Sequence, residues 1–538
     1  MRFSSTEEGL HRVHLQELNT RFRIPEWLLL LAFCVFFFFW QLSSFGLIGA
    51  DEPRYAQVAR EMSARRDWIT PTLSNAAWLE KPPLYYWQTM LAYRVFGVSD
   101  WAARLPSAID AFLLVIAVYA FLRRFRSGFE LDGALMLATA AGIVGYARAA
   151  SMDMALAATF TIALLVWYAW FVSGSQKCLA AAYVFLALAT LAKGPVAPFL
   201  AVVIIAIFAS AQRNLKVARE TLWFPGIAAF LMVTLPWYVM VQVRNPQFFR
   251  VFVLEHNLAR FGTNLYHHLE PFWYYAPVTL LGLVPWAAFV VAALIWASWR
   301  FRETASDSLS RFLFIWIAVI VVFFSLSKSK LPGYILPAIP PGIALLVEYL
   351  RTRTSQRPRW AIAAFHALLS AALIFSALMI QYILLQHRIP WGSASGPLIV
   401  AAIFAVGVFA LLVKSGSQAM RLLTLVPVIT LAIALRFGAP LLDNTLSARP
   451  LTSALAQFDP RHLPVAVFWA PRETEFGLQF YRNQVISRYE LGQIPDQEHF
   501  VVAPAGFLDN ITKAAGRKAI FLGSFNPQKL EFFYVPTR

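Results

Sequence analysis

The chain has 538 residues, 59% of them hydrophobic and 14% charged, with a mean hydropathy of +0.58 and a net charge of +17. A soluble protein carries about 25% charged residues, so a cytosolic globular enzyme, a disordered chain and a fibrous repeat are excluded and a polytopic membrane protein remains. Few of the 46 Lys+Arg lie in a segment free of the membrane, so nucleic acid is a poor partner; the basic excess fits either the positive-inside rule or an anionic, phosphate-bearing substrate.

A membrane-crossing helix needs about 20 apolar residues. Spans are predicted at 27–48, 105–122, 131–148, 154–172, 178–192, 195–211, 223–243, 273–297, 312–326, 334–350, 360–384, 397–413 and 421–441, about thirteen in all. The first exceeds the usual signal-peptide core of about 7–15 apolar residues and reads as a retained anchor. Cys34 falls inside this span and Cys178 begins another; neither has metal-site spacing, and a disulfide between them is not expected. With residues 1–26 placed in the cytoplasm, nearly every inner loop is basic, from Arg123, Arg124 and Arg126 to Arg351, Arg353, Arg357 and Arg359. An odd number of crossings then puts 442–538 outside.

Two outer segments are long. Residues 49–104 contain an amphipathic stretch at 54–66 and a second at 84–96, both expected to lie in the interface plane. Residues 442–538 show strand-like runs at 465–469, 499–503, 518–522 and 530–535, with helix-like stretches at 472–482 and 507–515. That pattern predicts a small soluble α/β domain after a transmembrane domain spanning 27–441.

The first outer segment opens with Gly49-Ala50-Asp51-Glu52-Pro53-Arg54-Tyr55. Two carboxylates at the mouth of a membrane helix are costly unless solvated or used. Asp51 either caps the next helix, with Pro53 in its first turn, or serves chemistry; the spacing leaves both open. In Trp78-Leu79-Glu80-Lys81-Pro82-Pro83-Leu84-Tyr85-Tyr86-Trp87 the prolines stiffen the backbone that carries Glu80 and Lys81. This is either a surface ion-pair loop or a lysine aimed at a lipid phosphate. Asp153, Lys193, the run Lys328–Tyr334 and the stretch Glu255-His256-Asn257-Leu258-Ala259-Arg260 stand at the same outer boundary. A boundary lysine often only snorkels. Together, however, these groups form a convergent outer site for an anionic, lipid-linked substrate, with cations to compensate phosphate. No nucleotide loop, dinucleotide fingerprint, zinc-protease motif or nucleophile elbow is present, so an enzyme here needs a donor already activated in the membrane.

The blocks Asp51–Tyr55, Trp78–Trp87, Ala192-Lys193-Gly194-Pro195 and Lys330-Leu331-Pro332-Gly333-Tyr334-Ile335-Leu336-Pro337 resemble the bacterial polyprenyl-phosphate glycosyltransferases related to protein O-mannosyltransferases, and among them the lipid A aminoarabinose transferases. The resemblance implies an all-α polytopic GT-C fold in the bacterial inner membrane and an inverting transfer on the periplasmic face. It implies a sugar, 4-amino-4-deoxy-L-arabinose, carried on undecaprenyl phosphate, with lipid A phosphate as acceptor and the chain acting as a monomer. Asp51 matches the essential acid and Lys81 the donor-phosphate contact; Glu52, Arg54, Tyr55, Asp153, Lys193, Arg260 and Tyr334 match cavity positions. Glu80 and His256 match a pair proposed to hold a divalent metal such as zinc, a sparse set where four ligands are usual.

A serine acceptor requires a general base, whereas an ionised phosphate does not. Asp51 is therefore a base or a positioning group according to the acceptor, and the residues leave this open. Two rivals stand beside this reading. One is a related transferase acting on a protein, another lipid or a polysaccharide. The other is a lipid or sugar transporter, against which no repeated half with matching broken helices is found.

Overall fold

The computed structural model describes residues 25–259, 270–301, 308–352, 360–384, 395–415 and 420–537. Among these, nine helices are long and apolar enough to cross a membrane, or ten if one bent pair is a single span. Every predicted span from 105 onward contains helix, but the tally falls below thirteen because four apolar segments are short or broken. The segment 195–211 forms a short helix, Val196–Ala211, parted from Gln176–Lys193 at Gly194, whose φ of +97° suits glycine.

The predicted span 273–297 is two helices, Phe272–Gly282 (its first turn 3-10) and Ala287–Arg300, bent by 119°. The predicted span 131–148 likewise divides into Glu130–Ala138 and Ala141–Ala147, parted by Ala140 in extended conformation. The two breaks meet. Ala141 donates its backbone N–H to Val284 O at 2.9 Å, and buried Trp286 donates its indole N–H to Thr139 Oγ1 at 3.0 Å. A Cβ on Gly142 would lie 3.2 Å from the Gly282 backbone, so this close approach requires glycine. Each break thus supplies polar partners that an interrupted helix in hydrocarbon needs.

The first predicted span, 27–48, is helical only over Glu26–Phe39. Residues 40–48 form a strap whose carbonyls are claimed by arginines. Arg148 donates to Phe37, Trp40 and Gln41, Arg104 to Leu42, Phe45 and Gly46, and Arg449 to Ser43 and Ser44. Carbonyls capped in this way have no need of helix.

The Asp51–Arg65 helix follows. It is not an exposed surface helix. Residues 52–59 and Met62 are covered by the Leu84–Phe96 helix, the start of Asp100–Phe125 and the C-terminal domain. A short antiparallel hairpin, Thr72–Leu73 with Ala76–Ala77, leans on it, and Glu61 accepts from the Ser74 and Asn75 amides.

The C-terminal domain begins at the Ala448–Ala456 helix and carries a five-stranded mixed sheet. The strand order is Ser487–Arg488, Val465–Val467, His499–Pro504, Leu530–Val535, Ile520–Phe525. The first three are parallel and the last two pair antiparallel. The Arg472–Arg482 and Leu508–Ala515 helices lie where the pattern placed them. The two-residue edge strand Ser487–Arg488 was not predicted, being too short to show alternation.

Candidate active site

Asp51 is the first residue of its helix, preceded by Ala50 in helical conformation, and no side chain caps that end. The capping alternative for Asp51 is therefore not realised. Its carboxylate, 57% exposed, instead pairs with Arg54 one turn on. Arg54 is itself buried among aromatic rings: its guanidinium lies 5.1 Å from the centroids of Tyr55 and Trp78 and 5.5 Å from that of Phe476. Its Nε is buried and finds no hydrogen-bond acceptor among the described residues. Burial weakens the Arg54 charge, but the hydrogen bond to Tyr55 and the Asp51 and Glu80 carboxylates more than offset this and hold its pKa above the ordinary value. Tyr55, buried beside the Asp51 charge, is likewise pushed well up and stays a neutral donor.

Glu80 and Lys81 follow the hairpin on the Pro82-Pro83 turn, and both are half-buried. Glu80 is placed near Arg54 and holds His256 Nε2 at 3.7 Å. Opposite them, Asp153 opens the Met152–Ser173 helix and Lys193 closes Gln176–Lys193. Each charge suits its helix end, and the two side chains form a direct ion pair. Lys193 Nζ also sits 4.6 Å from the Tyr334 ring centroid. Gly333 presses on this group: a Cβ there would lie 2.7 Å from Asp153 Cγ and 2.8 Å from Tyr146 Oη.

The family description "Dolichyl-phosphate-mannose-protein mannosyltransferase" matches residues 80–240. An undecaprenyl phosphate-alpha-4-amino-4-deoxy-L-arabinose arabinosyl transferase of Pseudomonas aeruginosa is 33% identical over 331 residues, covering 60% of this chain and 58% of that protein. The Edwardsiella ictaluri protein of the same name is 27% identical over 405 residues, 72% of this chain and 71% of its own. The crystal structure of ArnT from Cupriavidus metallidurans bound to undecaprenyl phosphate superposes with a TM-score of 0.73 at 22% identity, covering 94% of this chain and 97% of that one. The chain shares the GT-C fold of that transferase, and its alignment with the Pseudomonas aeruginosa protein spans less than two thirds of that protein's length.

Within this GT-C scaffold the structure brings Asp51, Arg54, Tyr55, Glu80, Lys81, His256, Asp153, Lys193 and Tyr334 to neighbouring helix ends and turns. Arg260 lies outside the described residues. Glu52 turns the other way. It accepts from Arg104 at 2.6 Å, from the Ile48 amide at 3.0 Å and from the Ala150 amide at 3.1 Å, and so ties the strap to the Asp100–Phe125 helix and to the turn before Met152–Ser173. Tyr146 and Phe476 were missed. A tyrosine at a helix end reads as an interfacial anchor, and a phenylalanine in a soluble helix reads as core.

The proposed metal pair can be tested on its donors. Zinc binds its ligands at about 2.0–2.3 Å and takes three or four of them from protein. Glu80 and His256 stand at ion-pair spacing, and among the described residues no group of three or more His, Cys, Asp or Glu side chains comes together. Two donors fall short of the three or four that zinc takes from protein.

Proposed function

We propose that the protein transfers 4-amino-4-deoxy-L-arabinose from undecaprenyl phosphate to a lipid A phosphate on the periplasmic face of the inner membrane. The observation that supports this most is an apolar groove linked by ring contacts, through Phe323 and Phe324, to the tyrosine that faces Lys193. Phe199, one turn beyond Lys193-Gly194-Pro195, packs at a tilt against Phe323, and Phe324 packs likewise against Tyr334, which faces Lys193. Phe199 and Phe323 line an apolar groove of about 460 Å³ with Val203 and Phe314. A phosphate at the cations and an isoprenoid tail in the groove are the two halves of one ligand.

In the reaction, the bond between the sugar C1 and the donor phosphate oxygen breaks, and its electron pair leaves with undecaprenyl phosphate. A lipid A phosphate oxygen forms the new bond to C1 from the opposite face. Charge grows on the departing phosphate, and Lys81, helped by Arg54 and Lys193, offsets it. Arg54 presents an orphan Nε–H for an anionic oxygen. The acceptor phosphate is already ionised, so no base is needed, and Asp51 acts by orienting Arg54 or the amine of the sugar. Mass spectrometry of lipid A from the host, with and without the gene, tests this: the mass increment of one aminopentose per modified phosphate disappears on deletion. Unchanged lipid A would direct the same chemistry to another acceptor.

A further inference from the structure

We infer that the C-terminal domain completes the active site, with Phe476 as a positioning residue that fixes the plane of Arg54; the inference rests on the donor-phosphate role given to Arg54 above. Phe476 lies on the Arg472–Arg482 helix, which packs along the Asp51–Arg65 helix. Its buried ring meets the Arg54 guanidinium at 5.5 Å, while Trp78 from the first outer segment meets it at 5.1 Å. Asp51 and Tyr55 engage the guanidinium through Nη2. Rings therefore settle its tilt and polar groups its edge, leaving the Nε edge for a ligand.

The helix that presents Phe476 is itself latched to the catalytic segment. Gln479 donates to Ser74 Oγ at 2.7 Å and Phe480 O accepts from Arg60 at 2.9 Å. Tyr481 Oη accepts from the Leu47 amide at 2.7 Å and donates to Asp100 at 2.9 Å. The domain thus grips both the Asp51–Arg65 helix and the strap before it. An arginine that must meet a phosphate edge-on loses affinity when its plane is free, because the side chain's rotamer freedom must then be lost on binding.

The experiment uses the purified full-length protein and undecaprenyl phosphate as probe. Phe476→Leu weakens undecaprenyl phosphate binding and raises the donor KM by about tenfold, the size of a partly desolvated cation–π contact, with kcat changed less and thermal stability kept. Phe476→Tyr restores binding relative to leucine. In an Arg54→Lys background Phe476→Leu adds nothing further, because the two act as one unit. A full additive loss in that background, or a loss that follows thermal stability through both variants, overturns the inference. Should Phe476→Leu not fold, Phe476→Met takes its place. A second readout is independent of transfer: phenylglyoxal modifies Arg54 faster in the leucine variant than in wild type, as mapped by peptide mass spectrometry. If wild-type protein binds no undecaprenyl phosphate, the functional reading fails and this arm alone decides the clamp, with equal modification rates overturning it.

Discussion

The Asp51 carboxylate is 57% exposed and paired with Arg54, whereas that of Glu52 is 9% exposed and accepts from Arg104 and two backbone amides. Substitution separates the two roles. Asp51→Asn and Asp51→Ala both abolish sugar transfer at unchanged thermal stability, because there is no helix cap for asparagine to preserve and a neutral amide does not replace the charge paired with Arg54. An active Asp51→Asn enzyme would move the charge-dependent role to Asp153. Glu52→Gln does the reverse. It leaves the fully buried Arg104 charge without its partner, which costs about 3–5 kcal/mol and is seen as a lowered unfolding temperature or loss of folded protein in detergent. A stable, inactive Glu52→Gln variant would place Glu52 in the chemistry instead. The DEPRY block announced that acids matter here, but not which acid does what. Adjacent helical residues point about 100° apart, and Arg104, lying about fifty positions downstream, decides which of the two turns inward.

Elements were legible where hydrophobicity alone decides them and illegible where distant polar groups intervene. The apolar run through residues 27–48 reads as one helix, yet Arg104, Arg148 and Arg449 draw its last carbonyls into a strap. No local signal announces arginines from elsewhere in the chain. The hairpin at Ser74-Asn75 is a different case, since both residues take positive φ, 54° and 63°, and Asn is a residue that accepts it, so the signal was there to use. The block containing Gly333 was recognised as a motif, and its packing supplies the reason for the glycine. Gly333→Ala drives a Cβ against Asp153 and Tyr146, the first of which holds Lys193. Transfer falls at least tenfold, with a smaller effect on the unfolding temperature, in a comparison of the purified variant with wild type. Full activity in Gly333→Ala would show that the Asp153–Lys193 pair tolerates displacement and carries little of the chemistry.

At the scale of the whole molecule, the transmembrane bundle was readable from its long apolar runs and the C-terminal α/β domain from its periodicity. Their union was not, since Phe476, Tyr481 and Arg449 meet Arg54, Asp100 and the strap through contacts that no spacing encodes. The basic inner loops predict an outer, periplasmic position for this domain. Asn510→Cys, exposed on the Leu508–Ala515 helix, is therefore labelled by an impermeant maleimide in cells whose outer membrane alone is permeabilised; labelling only after the inner membrane is broken would reverse the orientation. The central claim is that one site joins a polyprenyl phosphate leaving group to Lys81 and Arg54. It is tested most directly with purified protein, radiolabelled undecaprenyl phosphate-aminoarabinose and lipid A in a defined detergent. The account predicts label on lipid A with equal release of undecaprenyl phosphate, and a rate about 10²–10³ lower in a folded Lys81→Ala variant. Release of no undecaprenyl phosphate by wild type, or near-normal transfer by Lys81→Ala, would contradict it.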